Sequence, residues 1–360
     1  MRALTVIAEM GSGGAERVVT DLVGHLVATG HEACVASSGG WRADALAVAG
    51  VCTLEVPLRE SGPGSLARAV ARLRRETAAR PVDVVHAHNV RATLAAHLAT
   101  RVGRRTKPPL VTTVHGLADA DYPRAARLLA VCDAVVAVSD DVAGRLARGG
   151  VDERRLRVVE NAVPPPVFRP GGSDQVRDEL GLTGPMPVVL CVARLASPKR
   201  VDLLLDAWTD VPDVTLLVVG DGPDREALER RAAPSGDRVR FLGERRDVDR
   251  LLGAADLLVL PSDREGLPMA VLEAMAAGVP VVASAVGGIP QLGADVVELV
   301  AEPRPEAFAA AVRRVLDDQD RYRAMATAGR DLVDQRFSSS RMQSGYALVF
   351  EDVQKVRRTS

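Results

Sequence analysis

Aromatic side chains are scarce, at 3% of the chain, with two Trp, three Tyr and five Phe. The cores must therefore be built from Ala, Val and Leu, which suits α/β layering. Net charge is nearly absent too. A formal charge of −1 leaves no basic excess to neutralise phosphates, which excludes nucleic acid as the main partner. No apolar run approaches the length needed to span a bilayer, and the apolar stretch in MRALTVIAEMGSGG is too short for a signal h-region. The expected location is cytoplasmic, at most peripheral at the inner face of a membrane. Cys34, Cys52, Cys132 and Cys191 are scattered without metal-ligand or redox spacing. They read as small buried hydrophobes in a reducing compartment.

What the chain does have is length and aliphatic content. At 360 residues and 47% hydrophobic it exceeds one ordinary core, so two domains are expected. Charge divides unevenly between them: 21 Lys+Arg against 17 Asp+Glu in residues 1–165, and 25 against 30 thereafter. Ten basic residues and two acidic ones lie between Arg68 and Lys107. Short β-branched runs alternate with Ala/Leu/Arg-rich amphipathic segments, the pattern of parallel sheets with helical crossovers. Strands are expected near Arg2–Ala8, Glu32–Ser37, Val51–Val56, Val82–His86, Leu110–His115 and Ala134–Val138. After the proline-rich NAVPPPVFRPGG at 161–172 the pattern restarts, with strands near Val188–Val192, Thr215–Val219, Val239–Phe241, Leu257–Leu260, Val279–Ala283 and Val296–Val300. From Glu306 on, helices follow one another. The architecture implied is two doubly wound, Rossmann-like α/β domains facing a central cleft: residues 1–165, residues 166–340, and a final helix, 341–360, that packs back on the first domain. Ligands of such sheets bind beyond the carboxyl ends of the strands.

Several motifs fall at those ends. EMGSGGAERVV follows the first strand and opens a helix near Gly14, where amides and the helix dipole favour a phosphate, although any tight turn needs glycine as well. His115 ends LVTTVHG, and His86 and His88 lie in DVVHAHN; such histidines can donate to a sugar hydroxyl or simply bond to backbone. His25, His31 and His97 read as structural. In the second half Arg194 and Lys199 flank a loop after a strand, a fitting pair for a pyrophosphate, with Pro198 placed to begin a helix. Gly220 and Gly222 repeat the strand, turn, helix arrangement, as a nucleotide contact or a structural turn.

The strongest signal is LPSDREGLPMAVLEAMAAGVPVVAS. Pro268 suits the first turn of a helix running to about Ala277. Glu265 and Gly266 then precede its N-terminus, and Glu273 lies within it, about 12 Å further on at helical rise. A carboxylate between Leu272 and Ala274 in an apolar helix calls for a partner or a ligand.

Arg194-x4-Lys199, followed by the Glu265-x7-Glu273 segment, AAGVPVVAS and VGGIP, resembles family 4 of the glycosyltransferases, of GT-B fold. The likeness extends through GGAERVV, HAHN, TTVHG, AVSD and ENAV to almost the whole chain. It implies an enzyme that transfers a hexose with retention from a nucleotide diphosphate sugar, UDP ahead of GDP, without a cofactor or an obligatory metal. It also implies site roles. Arg194 and Lys199 hold the diphosphate. Glu265, with the amides of Gly266 and Leu267, positions the sugar, and Glu273 binds the ribose. Gly13 and Gly14 meet the phosphates, and His115 meets the transferred sugar. Two departures stand out: Arg200 where the family often has Gly, and Gln291 where it often has Glu. The Asp-x-Asp pairs Asp119/Asp121 and Asp247/Asp249 read as chance.

The acceptor is unnamed by any motif: an envelope glycan or lipid, or a small natural product. The basic segment Arg68–Lys107 carries a helix whose apolar positions Leu66, Val70 and Leu73 either cover the sheet or meet anionic lipid. Alternatives to transfer are a non-catalytic nucleotide-sugar-binding partner and a sugar-nucleotide isomerase on the same fold.

Overall fold

The computed structural model describes residues 1–60, 62–102, 107–165, 174–182 and 184–358. Most of the proline-rich connection, 166–172, and Arg104 and Arg105 of the basic segment lie outside the described residues. The chain forms two compact units, one of Met1–Asn161 with Ser339–Ser360 and one of Ala162–Ser338.

The first unit contains seven parallel strands: β1 (Arg2–Val6), β2 (Glu32–Ser37), β3 (Cys52–Glu55), β4 (Val84–His88), β5 (Leu110–Val114), β6 (Ala134–Ala137) and β7 (Leu156–Val158). Their spatial order is β3-β2-β1-β4-β5-β6-β7. The central strands are buried along their length, as sheets covered on both faces must be. The pattern sets their identity and misses some bounds: β4 runs on to His88, so the two histidines of HAHN are strand residues. Strand β7 has no apolar run to announce it and owes its place to pairing with β6.

In the second unit six parallel strands, β8 (Val188–Val192), β9 (Thr215–Val219), β10 (Val239–Gly243), β11 (Leu257–Leu260), β12 (Val281–Ser284) and β13 (Val297–Val300), lie in the order β10-β9-β8-β11-β12-β13. Trp208 and Phe308 fill its core, the Trp208 indole donating to the Val214 carbonyl at 3.1 Å.

Two expectations need correction. The register of β2 with β3 sets Cys34 opposite Cys52, and the two form a disulfide; only Cys132 and Cys191 are free, and both are buried. The paired cysteines lie 18 positions apart in the sequence, and a crossover, invisible in the spacing, brings them together. The helix Pro63–Ala79 buries Ser65, Ala69, Leu73 and Thr77, so its inward face is offset from Leu66 and Val70, which are only half-buried. Small residues let it approach the neighbouring helix Asn89–Thr100, and Arg74 caps that helix by donating to the carbonyls of Leu98 and Val102. Among the described residues no helix is long and apolar enough to cross a membrane.

The last helix, Ser339–Arg358, belongs to the first unit. It buries Tyr346 and Phe350 against His86, and the Tyr346 hydroxyl lies 3.0 Å from Thr113 Oγ1 on β5. Tyr346→Phe should cost about 1 kcal/mol, the net worth of one buried hydrogen bond. Tyr346→Ala should cost about 3–5 kcal/mol through the cavity it leaves. Urea unfolding of the two variants measures both.

Candidate functional site

Strand order reverses between β1 and β4 in the first sheet and between β8 and β11 in the second. At such a point neighbouring connections leave the sheet in opposite directions and open a crevice beyond the carboxyl ends. The loop after β8 carries Arg194 and Lys199. The loop after β11 carries Glu265, Gly266 and Leu267.

In the second unit those two loops meet directly. Lys199 Nζ donates to Glu265 Oε1 at 2.6 Å, with the carboxylate only 7% exposed and the ammonium 27% exposed. A second link ties the loops through backbone, from Asp263 N to the Pro198 carbonyl at 2.9 Å. Residues assigned from the sequence to phosphate and to sugar are therefore one ion pair. Arg194, five residues before Lys199 on the same loop, is exposed and has no ion-pair partner among the described residues.

Close backbone approach builds the surroundings. A Cβ on Gly220 would lie 2.0 Å from the Ala193 carbonyl oxygen, and one on Gly222 would lie 2.2 Å from that of Leu195. The two glycines thus let the turn after β9 pack on the backbone either side of Arg194, a structural role that requires glycine at both positions. Likewise a Cβ on Gly287 would lie 1.9 Å from the Glu265 carbonyl oxygen, and Gly288 N donates to the Gly266 carbonyl at 2.7 Å. VGGIP is thereby the support of the Glu265 loop, a role that its sequence signals only as a glycine pair.

Pro198 does not begin a helix. Arg200 takes a left-handed φ of 49°, so the helix starts after it, at Val201. That conformation explains why glycine suits this position. Here an arginine bears it at about 1–2 kcal/mol, while its guanidinium pairs with Asp202 and Asp263. The other departure, Gln291, falls in the turn Pro290–Leu292. The helix after Glu265 runs Met269–Ala277 with Pro268 as its cap. Only four residues of helical rise, about 6 Å, separate Met269 from Glu273, so the 12 Å expected for the full spacing does not apply. Glu273 is half-buried between the buried Leu272 and Ala274.

In the first unit the turn after β1 leads into the helix Gly14–Ala28, with Gly13 as its cap. The Glu16 carboxylate lies so close that a Cβ on Gly13 would meet it at 2.1 Å. In the first turn of the helix, this carboxylate suits the dipole at that end. The turn is held by residues with no motif of their own: Trp41 Nε1 donates to Ser12 Oγ at 3.1 Å, and Arg42 Nε to the Gly11 carbonyl at 3.0 Å. The preceding Gly39-Gly40 pair is the only sequence signal for this contact.

Beyond β4 and β5 the histidines gather. His88 Nδ1 and His115 Nε2 are 2.9 Å apart, and His86 Nε2 is 2.8 Å from Thr113 Oγ1. Burial pushes all three imidazoles down, His86 to about 3 and His115 to about 4, and His88 well below its usual range with the neighbouring rings adding to the effect. All three are neutral near pH 7. His97 sits on the helix Asn89–Thr100, and His25 in the last turn of Gly14–Ala28.

The acidic pairs are engaged elsewhere. Asp119 pairs with Arg145, and Asp247 with Arg245 and Arg250. Among the described residues no three His, Cys, Asp or Glu side chains group as a metal site.

Residues 12–165 match the family described as Glycosyltransferase Family 4, and residues 186–318 the one described as Glycosyl transferases group 1. The chain is 28% identical over 288 residues to N-acetyl-alpha-D-glucosaminyl L-malate synthase of Bacillus anthracis, covering 76% of this chain and 75% of that protein. To the D-inositol 3-phosphate glycosyltransferases of Mycobacterium marinum and Segniliparus rotundus it is 33% identical over 277 residues, or 68% and 69% of this chain. The match spans 58% and 61% of those two proteins' own length. Among solved structures, Anabaena Alr3699/HepE in complex with UDP-glucose superposes with a TM-score of 0.86 at 23% identity, covering 98% of this chain and all of that one. Sucrose-phosphate synthase of Thermosynechococcus elongatus superposes at 0.83 with 21% identity, covering 99% and 100%. These likenesses show the fold.

The neutral histidines make acid a specific threat. Unfolding frees each ring to its ordinary value near 6.5, so between that value and the folded one the unfolded state binds more protons. Stability is then complete above about pH 6.5 and is lost as pH falls toward 4. For the fully buried His86 the loss is up to about 1.4 kcal/mol per pH unit. Urea midpoints taken from pH 7.5 down to 4.5 should fall along that slope, and His86→Gln should flatten it.

Proposed function

The chain belongs to family 4 of the glycosyltransferases, and from that premise we propose that it transfers a hexose from a nucleotide diphosphate sugar to a hydroxyl of a small acceptor. The configuration at the anomeric carbon is retained and no metal is required. The observation that carries the reading is the Lys199–Glu265 ion pair at the switch point of the second sheet, on the loop that also carries the exposed Arg194. Two cations at one strand-end crevice suit a diphosphate. A carboxylate held by one of them suits the hydroxyls of the sugar attached to it.

In this scheme Arg194 and Lys199 hold the diphosphate and stabilise the charge that develops on it as the bond from the anomeric carbon to the phosphate oxygen breaks. Glu265 and the amides of Gly266 and Leu267 orient the sugar, and Glu273 takes the ribose. Gly13 and Gly14 meet the phosphates, and His115 meets the transferred sugar. The acceptor oxygen bonds to the anomeric carbon on the face that the diphosphate leaves, and its proton passes to the departing phosphate oxygen. Alignment and electrostatics supply the rate, without a protein nucleophile.

UDP is favoured as the nucleotide, in line with the UDP-glucose in the complex of the Anabaena protein. GDP is the alternative, since a shorter match, 36% identical over 183 residues, is a GDP-mannose-dependent mannosyltransferase of Corynebacterium glutamicum. For the acceptor, two relatives are named for L-malate and D-inositol 3-phosphate, both small and anionic, which favours a small molecule over a glycan or a lipid.

A panel of UDP- and GDP-sugars with such acceptors, followed by mass spectrometry and by proton NMR of the new anomeric centre, tests the reading. Transfer with retention and without loss in EDTA is expected; nucleotide binding with no turnover on any pair would favour a non-catalytic binder. Glu265→Gln should keep nucleotide affinity within a few-fold while lowering kcat by about 100-fold or more, the scale of losing one preorganised electrostatic group. Lost binding with kcat intact would reverse the role assigned to Glu265.

A further inference from the structure

His88 ends β4 directly beside Thr113 of β5, and His115 follows two residues later, just past the end of that strand. That register brings the His88 and His115 rings close to parallel, 18° apart, and joins them through Nδ1 of the first and Nε2 of the second. His88 is 1% exposed, while His115 is only partly buried. From this geometry we propose that His88 is a positioning residue: its Nδ1–H donates to His115 Nε2, fixing His115 as the tautomer whose remaining donor, Nδ1–H, serves the ligand. The proposal rests on the reading above that His115 meets the transferred sugar.

The direction of the bond follows from what surrounds it. Two neutral imidazoles sharing one hydrogen bond must divide into donor and acceptor. If His115 were the donor, the proton of His88 would sit on its Nε2, which is buried and has no partner among the described residues. Orphaned buried N–H groups are rarer than under-used acceptors, so the lone pair belongs on His88 Nε2 and the proton on Nδ1. The neighbouring network agrees. A buried tyrosine hydroxyl normally donates, and Tyr346 lies against Thr113 Oγ1, which in turn lies against His86 Nε2. His86 Nδ1 is likewise buried without a partner among the described residues, so the same rule leaves the lone pair there and the proton on Nε2, donated to Thr113 Oγ1, which accepts from both neighbours. The His86 and His88 ring centres are 4.3 Å apart.

The consequence for catalysis is a donor of fixed direction. Free neutral histidine favours the proton on Nε2. Without His88, His115 would present a lone pair from Nδ1 toward a ligand, and a sugar hydroxyl or a developing negative charge would lose its donor.

The test is long-range proton–nitrogen NMR on full-length protein labelled at histidine, with His115 assigned by its loss in His115→Gln. In the wild type, His115 should carry its proton on Nδ1. In His88→Leu it should move to Nε2, and kcat should fall by about 10- to 100-fold with donor KM within about two-fold, the scale seen when a functional histidine loses its orienting partner. In His88→Asn, whose amide nitrogen falls near the position of Nδ1, the Nδ1–H tautomer and most of the rate should return. A wild-type His115 protonated on Nε2, or an unchanged tautomer and unchanged kcat in His88→Leu, would overturn the proposal. The NMR measurement is made on the resting protein. It therefore decides the tautomer even where no donor and acceptor pair turns over, an outcome that would fail the proposed function and leave the pairing standing.

Discussion

Parallel strands cannot be joined by a tight turn; each must return over the face of the sheet through a crossover, and that crossover is right-handed. Both units obey this rule by starting near the middle of the sheet, building outward in one direction and then returning to build in the other. One pair of neighbouring strands in each sheet therefore has connections leaving to opposite faces. Beyond the ends of those strands such an arrangement opens a crevice. The placement of Arg194, Lys199 and Glu265 in one unit, and of the Gly13 turn and the histidines in the other, follows from that single constraint.

Within the second unit, close backbone packing converts the crevice into a charged site. Gly220, Gly222 and Gly287 each stand where a methyl group would overlap a neighbouring carbonyl oxygen. Their lack of a side chain lets three loops touch. That contact carries the Lys199 ammonium to a carboxylate with little solvent around it. A pair of this burial is costly to break from one side, because the remaining charge would stay desolvated without its partner. The exposed Arg194 costs little to keep unpaired, and it is the group from which a phosphate would gain most.

The first unit uses the opposite electrostatic strategy. Its imidazoles are buried until they are neutral, so they act through the direction of their hydrogen bonds and not through charge. Direction must then be imposed by the surrounding groups, and one of them, Tyr346, lies more than two hundred residues along the chain from the strand it touches. The last helix completes a core and at the same time packs against the polar groups at the sheet's carboxyl edge.

Much of this was legible in the order of residues. Alternating β-branched and amphipathic segments announce parallel α/β layering, because side-chain period reports secondary structure locally. Glu265, Gly266 and Pro268 announce a polar loop entering a helix for the same reason. Contacts between distant loops had no such local signature. The sequence shows Lys199 and Glu265 as two candidate ligand residues, and Cys34 and Cys52 as two lone thiols. Folding makes each couple a bonded pair, since register and crossover bring together positions that spacing keeps apart. Local periodicity determined which elements form. Which side chains meet at their ends, and in what state of charge or protonation, was decided only by tertiary packing, through the close approaches that glycine permits and the desolvation that burial imposes.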